Sequence, residues 1–345
     1  MERRKLLKGL TGVGLSSLVA SAVPLVNGSK GPRIGSGVDG ILGPTAEASG
    51  LRGAAEASSP GGAGAQNAAA DTTVSEAVDE AFPHLAVARA RAPEELVKAA
   101  LGALGGVSRF ISKGDKVIIK PNMGWDRTPE QAANTNPEVV RTLVDLCFGS
   151  GAKEVIVADN SCNEARRCYV RSGVAKAAEE AGATVRYMDE RKFKDMKIGG
   201  DVIKEWPVYT DFVEVDKIIN VPIAKHHSLT RLTLSMKNWL GAVGGSRNRL
   251  HQKIDESCVD LAAFFKPTVT VLDAVRILKG NGPQGGNLKD VEKIDTLAAS
   301  VDQTTIDSFG ATLFGLKGDD LGCVRVAARM GFGQADLSKI KIAEV

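Results

Sequence analysis

The sequence predicts an α/β fold: a mostly parallel sheet with helices on both faces and a small inserted β-like region near residues 190–215. Three observations predict it. Short, continuously apolar runs such as Lys116-Val-Ile-Ile-Lys120, Glu154-Val-Ile-Val-Ala158 and Lys217 to Ile223 read as strands buried on both sides. Segments of helical apolar spacing separate them, as in parallel sheets that need crossover helices. The chain has 345 residues, 43% of them hydrophobic, which suffices for a large core.

The elements follow in order. Leu85 to Ala88 reads as a strand. Pro93-Glu94-Glu95 opens a helix through Leu104, with proline at an early helical position and acids in the first turn. The strand at 116–120 lies between Gly114-Asp115 and Pro121-Asn122. Asn136-Pro137-Glu138 caps a helix to about Phe148, which Gly149 and Gly151 end. A strand at 154–158 follows, then a helix over 173–181 and a strand over 184–187. Residues 190–215 are polar, with short β-like pieces at 202–203, 208–209 and 212–213. The alternation resumes with the strand at 217–223, a helix over 232–240 and a helix over 254–265. Strands at 269–273 and 297–301, helices over 305–316 and 322–330, and a strand near 340–342 close the chain.

The N-terminus has a different composition. Residues 1–22 join Arg3-Arg4-Lys5-Leu6-Leu7-Lys8 to a weakly apolar run and an Ala20-Ser21-Ala22 cleavage site. That layout predicts a twin-arginine signal peptide, with the export machinery as partner and the periplasm, or another exported location, as destination. The run is too short and too rich in Gly and Ser to span a bilayer, and no later segment is long and apolar enough to do so. Residues 23–77 are rich in Gly, Ala and Ser and read as a disordered linker, which leaves 78–345 as the α/β domain. The first 22 residues hold the whole +3 excess of the chain, so the remainder is neutral. A neutral chain with 5% aromatic residues gives no electrostatic ground for nucleic-acid binding.

Chemistry concentrates in Lys225 to Asp255, which holds three of the four histidines. It follows a predicted strand, and open α/β sheets bind ligands where strand C-termini meet loops. His226 and His227 are adjacent, so an extended chain aims them to opposite sides. Together with His251 and Lys237 they are the candidate catalytic groups. Lys120, Asn122, Lys225, Asn238 and Arg247 are candidate binding residues for a small anionic ligand, with Arg supplying a fork and Lys a point charge. Gly282 and Gly285, in a Gly-rich turn, would let backbone N–H groups approach it. His227, His251, Asp255 and Asp273 form a candidate divalent-metal set, because a shared helix would place His251 and Asp255 on one face. The alternative is that these histidines only hydrogen-bond the turn together.

Of the five cysteines, Cys147 fits a buried helical position. Cys162 and Cys168 read either as a disulfide, the simpler case in an oxidising compartment, or as thiols activated by Arg166 and Arg167. There is no C-x-x-C, H-E-x-x-H or G-x-S-x-G.

An ordered series of blocks resembles one known family. It runs from Lys116-Val-Ile-Ile-Lys-Pro-Asn122 through Thr135-Asn-Pro-Glu-Val-Val140 and Gly151-Ala-Lys-Glu-Val155 to Lys225-His-His-Ser-Leu-Thr230. It continues with Leu234-Ser-Met-Lys-Asn-Trp-Leu-Gly241, His251, Leu272-Asp273 and Gly280-Asn-Gly-Pro-Gln-Gly-Gly286. These are similar to the domain of unknown function 362 family over about residues 84–335, in a twin-arginine-exported form. The family is defined by sequence, and the resemblance implies no particular reaction. Some members carry ferredoxin-like cysteine motifs. This chain lacks them, so no iron–sulfur cluster is expected. Two function classes stay open: an exported enzyme acting on a small anion, with or without a metal, and a non-catalytic periplasmic module that binds a ligand or cofactor. A purely structural role would need a large exposed apolar patch instead.

Overall fold

The computed structural model describes residues 81–345. The expected signal peptide at 1–22 and the linker at 23–77 lie outside the described residues.

Ten strands form one twisted sheet. Its path begins with β12 (Ile342–Glu344), β1 (Leu85–Arg89), β11 (Val291–Ser300) and β10 (Val269–Leu278). It continues with β7 (Lys217–Val221), β2 (Lys116–Pro121), β3 (Glu154–Val157) and β4 (Thr184–Val185). The run from β10 through β7, β2 and β3 to β4 is parallel. β11 is antiparallel to both of its neighbours, so the sheet is mixed but largely parallel. A further strand, β8 (Ile223–His227), leaves β7 after Pro222 and pairs with the far half of β10. β9 (Arg231–Thr233) folds back antiparallel to it.

Strand alternation sends successive side chains to two separate cores. Leu85, Val87, Ile118, Ile156, Ile218 and Leu272 enter one. Ala86, Val117, Ile119, Val155, Ile219 and Val271 enter the other. The second core is covered by helices α1 (Pro93–Ala103), α2 (Pro137–Gly149), α3 (Ala165–Arg171) and α4 (Val174–Glu180). The first is covered by α5 (Asp211–Glu214), α6 (Ser235–Asn238), α7 (Ile254–Phe265), α8 (Gln303–Thr312) and α9 (Gly322–Arg329). Helices on both faces are the expected fold class. The cap at Asn136 follows the sequence signal, accepting from Glu138 N–H at 2.9 Å ahead of Pro137. Asp302, which accepts from Thr304 N–H at 2.8 Å, starts α8 at Gln303 and not at the expected 305.

The inserted region is a separate hairpin of β5 (Phe193–Lys197) and β6 (Glu205–Tyr209). Buried Asp260 on α7 anchors it, accepting the N–H groups of Asp201, Val202 and Ile203 at 2.8–2.9 Å. Gly200 is required there, because an added Cβ would lie 2.1 Å from the Asp260 carboxyl carbon.

Several expected elements differ. In the inserted region only the piece at 208–209 is a strand: 202–203 lie in the turn held by Asp260, and 212–213 lie in α5, so the short apolar pairs mark buried or half-buried positions and not strands. The helix over 232–240 is instead strand β9, the short helix α6 and a 3-10 turn over Trp239–Ala242. Arg231, at φ 62°, turns the chain so that Leu232 and Thr233 pair with His226 and Lys225, and pairing overrides the helical spacing. The strand at 297–301 reaches back to Val291. Its first half is the outer part of a hairpin with β10, polar and partly exposed, so it lacks the apolar signal. Among the described residues no helix is long and apolar enough to cross a membrane.

Replacing Asp260 with Ala orphans three N–H groups. Only the Ile203 N–H is fully buried, so at about 1–3 kcal/mol for an unpaired buried group Asp260→Ala should destabilise the domain by about 1–3 kcal/mol. A urea denaturation midpoint matching wild type would refute the anchor.

Candidate functional site

At the C-terminal ends of β2, β3 and β7 the sheet opens into a cleft of about 350 Å³. Its floor is a buried ion pair. Lys120, the penultimate residue of β2, places its Nζ 2.6 Å from Asp159 Oδ1, just past β3, and also donates to the Pro121 carbonyl at 3.0 Å. Asp159 Oδ2 accepts from Met123 N–H at 2.6 Å. Both side chains are almost wholly buried, and their donors and acceptors are matched locally, as a buried pair requires. Gly241 lies on top. A Cβ there would sit 1.9 Å from Asp159 Oδ1 and 2.7 Å from Lys120 Nζ, so only glycine fits.

A ladder of amides carries order from this floor to the wall. Asn220 on β7 donates to the Ser235 carbonyl at 3.1 Å and accepts from Asn238 Nδ2 at 2.8 Å. Asn238 Oδ1 accepts from Asn122 Nδ2 at 3.0 Å, and Asn122 Oδ1 accepts from Lys225 Nζ at 2.9 Å. Lys225 also donates to the Ala133 carbonyl at 2.5 Å. It is almost fully buried, and burial pulls its amine down to about 7.

Lys225 and His227 stand two residues apart on β8, so both face the cleft. His227 Nδ1 accepts from Leu229 N–H at 3.1 Å. An accepting Nδ1 assigns the ring proton to Nε2, so His227 is a neutral donor. Burial, then the Lys237 charge, holds its pKa down at about 3. His251 is the converse. Its Nδ1 lies 3.2 Å from the Arg247 carbonyl, which can only accept. Nδ1 therefore carries the proton, and Nε2 keeps a lone pair. Burial and Lys237 lower its pKa also. The cleft thus holds one imidazole placed to donate and one placed to accept.

Lys237 lines the same cleft. Its side chain is about nine-tenths buried on α6, and burial lowers its pKa. Its amine forms no hydrogen bond or ion pair with a described residue. Thr233, 5% exposed, also lines the cleft with an unpartnered hydroxyl. Behind Lys237 lies a second cavity of about 10 Å³, walled by Leu232, Leu234, Leu321, Cys258, Asp255 and Asp307. That is about the room one water needs.

A profile of the domain of unknown function DUF362 matches residues 117–312, more than half of the chain and all but a few of the residues above. The chain belongs to the DUF362 family. A similar curated protein is the thylakoid-associated protein sll1697 of Synechocystis, 26% identical over 216 residues, 60% of this chain and 65% of that one. The DUF362 chain therefore spans a little under two thirds of that relative. Among solved structures, the lactate racemase apoprotein of Thermoanaerobacterium thermosaccharolyticum aligns at 11% identity and a TM-score of 0.39, over 63% of this chain and 54% of that one. A Thermotoga maritima protein aligns at 14% identity and a TM-score of 0.30, over 52% and 50%.

The DUF362 fold brings seven of the expected residues to the cleft: Asn122, Lys225, His227, Lys237, Asn238, Arg247 and His251. It does not do so for the others. Lys120 is spent on Asp159 within the floor and does not itself line the cleft. His226 points to the opposite side of β8, where Nδ1 accepts from Gly282 N–H at 3.1 Å, so it is no catalytic group of this cleft. Gly282 and Gly285 do not line it either. A Cβ on Gly282 would lie 2.0 Å from the His226 carbonyl oxygen, and Gly285 packs on Leu278, so both serve close packing. Pro283 between them reaches the cleft.

The metal set also fails to assemble. His251 lies in a 3-10 segment, Arg247–Lys253, and Asp255 in α7, so they share no helix face, and Asp255 faces the rear cavity. Asp273 is buried on β10, accepting from Asn136 and Val275 N–H. No group of three or more His, Cys, Asp or Glu among the described residues is placed to hold a metal ion.

Arg247 lines the cleft, but its guanidinium staples loops. It donates to the carbonyls of Asn160 at 2.7 Å, Ser161 at 2.9 Å and Leu240 at 3.2 Å. The expected disulfide is not formed. Cys168 is buried on α3, whereas Cys162 is exposed at the cleft, and both are free thiols. Arg167 pairs with Asp126 at 2.5 Å, and Arg166 lies over the Tyr187 ring. Thr233 and Trp125 were missed. Thr233 was hidden by the helical reading of its segment, and Trp125 by lying beyond the strand-end positions.

Lys120→Ala leaves a buried carboxylate without its partner. It should cost about 3–5 kcal/mol in chemical denaturation, and a loss below about 1 kcal/mol would refute the pair as the floor. His227, depressed in the fold, binds its proton more readily unfolded. Its stabilising contribution is present above pH ~6.5 and falls as pH drops towards its folded value of about 3. His227→Asn, which retains an acceptor near Nδ1, should flatten that acid-side slope in melting temperature against pH. An unchanged slope would show that His227 is not buried neutral.

Proposed function

We propose that the cleft binds a small organic anion and that this DUF362 protein is an exported enzyme acting on it. The observation that carries the reading is the Lys237 side chain, nine-tenths buried in a cleft wall, whose amine has no partner among the described residues. Burial strips the amine of much of its hydration, and an anion in the cleft supplies the partner that the protein does not. Thr233, His227 and Lys225 line the same cleft as Lys237. All can donate, which suits a carboxylate or phosphate.

His251 is the base in this reading. Its Nε2 lone pair is free, and burial keeps the ring neutral near physiological pH. A module that only binds has no need of it. Export rests on the Arg3-Arg4 segment with its Ala20-Ser21-Ala22 site, and the chain from residue 78 would be the exported domain.

Binding and protonation are linked. Lys225, at about 7, is partly neutral in the empty cleft near neutral pH, and burial lowers Lys237 in the same direction. A bound anion favours their charged forms, so binding takes up protons and strengthens as pH falls towards about 7. Titration calorimetry with acetate, lactate and phosphate in buffers of different ionisation enthalpy should show proton uptake for at least one of them. Lys237→Met should abolish it. If none of these anions binds the wild type at millimolar concentration, the reading fails. His251→Gln separates the classes: binding retained with wild-type turnover of the bound anion lost marks the enzyme, and binding unchanged with no turnover in the wild type marks the binder.

A further inference from the structure

We infer that Lys237 forms a covalent imine with a small 2-oxo acid, a carbonyl compound bearing an adjacent carboxylate. The inference rests on the anion-binding reading and names the substrate class of that site.

The three lysines of the site differ in what they touch. Lys120 Nζ is held by Asp159 and the Pro121 carbonyl, within the floor. Lys225 Nζ is held by Asn122 and the Ala133 carbonyl, with one N–H left for the cleft. Lys237 Nζ alone has no protein partner among the described residues, so its nitrogen is free to act as a nucleophile rather than as a tethered cation. Its rear wall keeps bulk water away through Leu232, Leu234 and Leu321, an arrangement that favours the neutral amine. Asp255, Asp307, Cys258 and Cys323 also face that rear cavity. Burial raises the pKa of all four, so they stabilise the ammonium less than exposed carboxylates would.

The rest of the cleft fits the other half of the substrate. The free Lys225 N–H and the His227 Nε2–H are donors for its carboxylate, and the Thr233 hydroxyl is a donor for the carbonyl oxygen. His251 Nε2 is the proton carrier. The Lys237 nitrogen lone pair attacks the carbonyl carbon, and one of its two N–H protons passes through His251 Nε2 to the carbonyl oxygen, giving a neutral carbinolamine. His251 then takes the remaining N–H proton and delivers it to the hydroxyl, which leaves as water while the C=N bond forms. The sum is amine plus ketone giving imine plus water, with no oxidant or reductant.

The test is reductive trapping. The full chain is incubated with pyruvate and, in parallel, with glyoxylate, in the presence of cyanoborohydride. Intact mass and tryptic mapping then locate any secondary amine. The expected result is a dominant single adduct on the Lys237 peptide, lost in Lys237→Met and formed about 10²-fold more slowly in His251→Gln, the usual scale of one acid–base group. Mapping of the wild type needs no variant to fold. No adduct with either 2-oxo acid, an adduct on Lys225 alone, or labelling spread evenly over surface lysines would overturn the inference. Acetate has no electrophilic carbonyl for this step, so its binding would leave anion recognition standing while trapping fails.

Discussion

Everything at the sheet's open edge depends on the contact between the Lys120 ammonium and the Asp159 carboxylate, 2.6 Å apart and closed off from water. Each charge alone would be expensive in that position. Together they tie the end of β2 to the loop after β3, and the second carboxylate oxygen fixes the backbone at Met123. The chain after α6 then packs on the pair through Gly241, because no side chain can come between. From there Asn160 accepts the constraint: its N–H donates to the Gly241 carbonyl at 2.8 Å, and its side chain to the Val243 carbonyl at 2.9 Å. Three segments far apart in sequence are thereby held as one cleft wall.

The same pair explains the division of labour among the cleft's cations. One lysine neutralises the floor, a second is oriented by the amide ladder, and the third is left without a partner. A stability argument alone would not place an unpartnered amine in a half-closed cleft. Its surroundings match a group kept ready for a ligand, and the two opposed imidazole tautomers beside it have the same logic. Neither histidine needs to change protonation for the cleft to offer both a donor and an acceptor.

The fold was legible because its signals are local. Apolar runs such as Val117 to Ile119 and Val155 to Val157 bury both faces, and the cap Asn136-Pro137 sits beside the helix it starts. β8 and β9 were not legible. They are short and carry Lys225, His226, His227 and Arg231, and only pairing with β10 and with each other makes them strands. The site was legible in part for the same reason. Residues placed by a strand end, such as Asn122 and Lys225, fall where the fold puts ligands. His226, Asp255 and Asp273 have the right chemistry but point elsewhere, and a direction set by a β-strand or a helix start depends on contacts that spacing does not encode.

The sequence by itself determined the alternation of strands and helices, the two-sided core and the neighbourhood of the cleft, since these follow from hydrophobic period and capping along a continuous stretch of chain. Only the tertiary structure decided which lysine is paired, which is oriented and which is free. Those roles turn on partners 39 to 118 residues apart, Asp159 for Lys120 and Lys120 for Asn238 among them, and a hydrogen bond across such a span exists only once the whole sheet has brought its strand ends together.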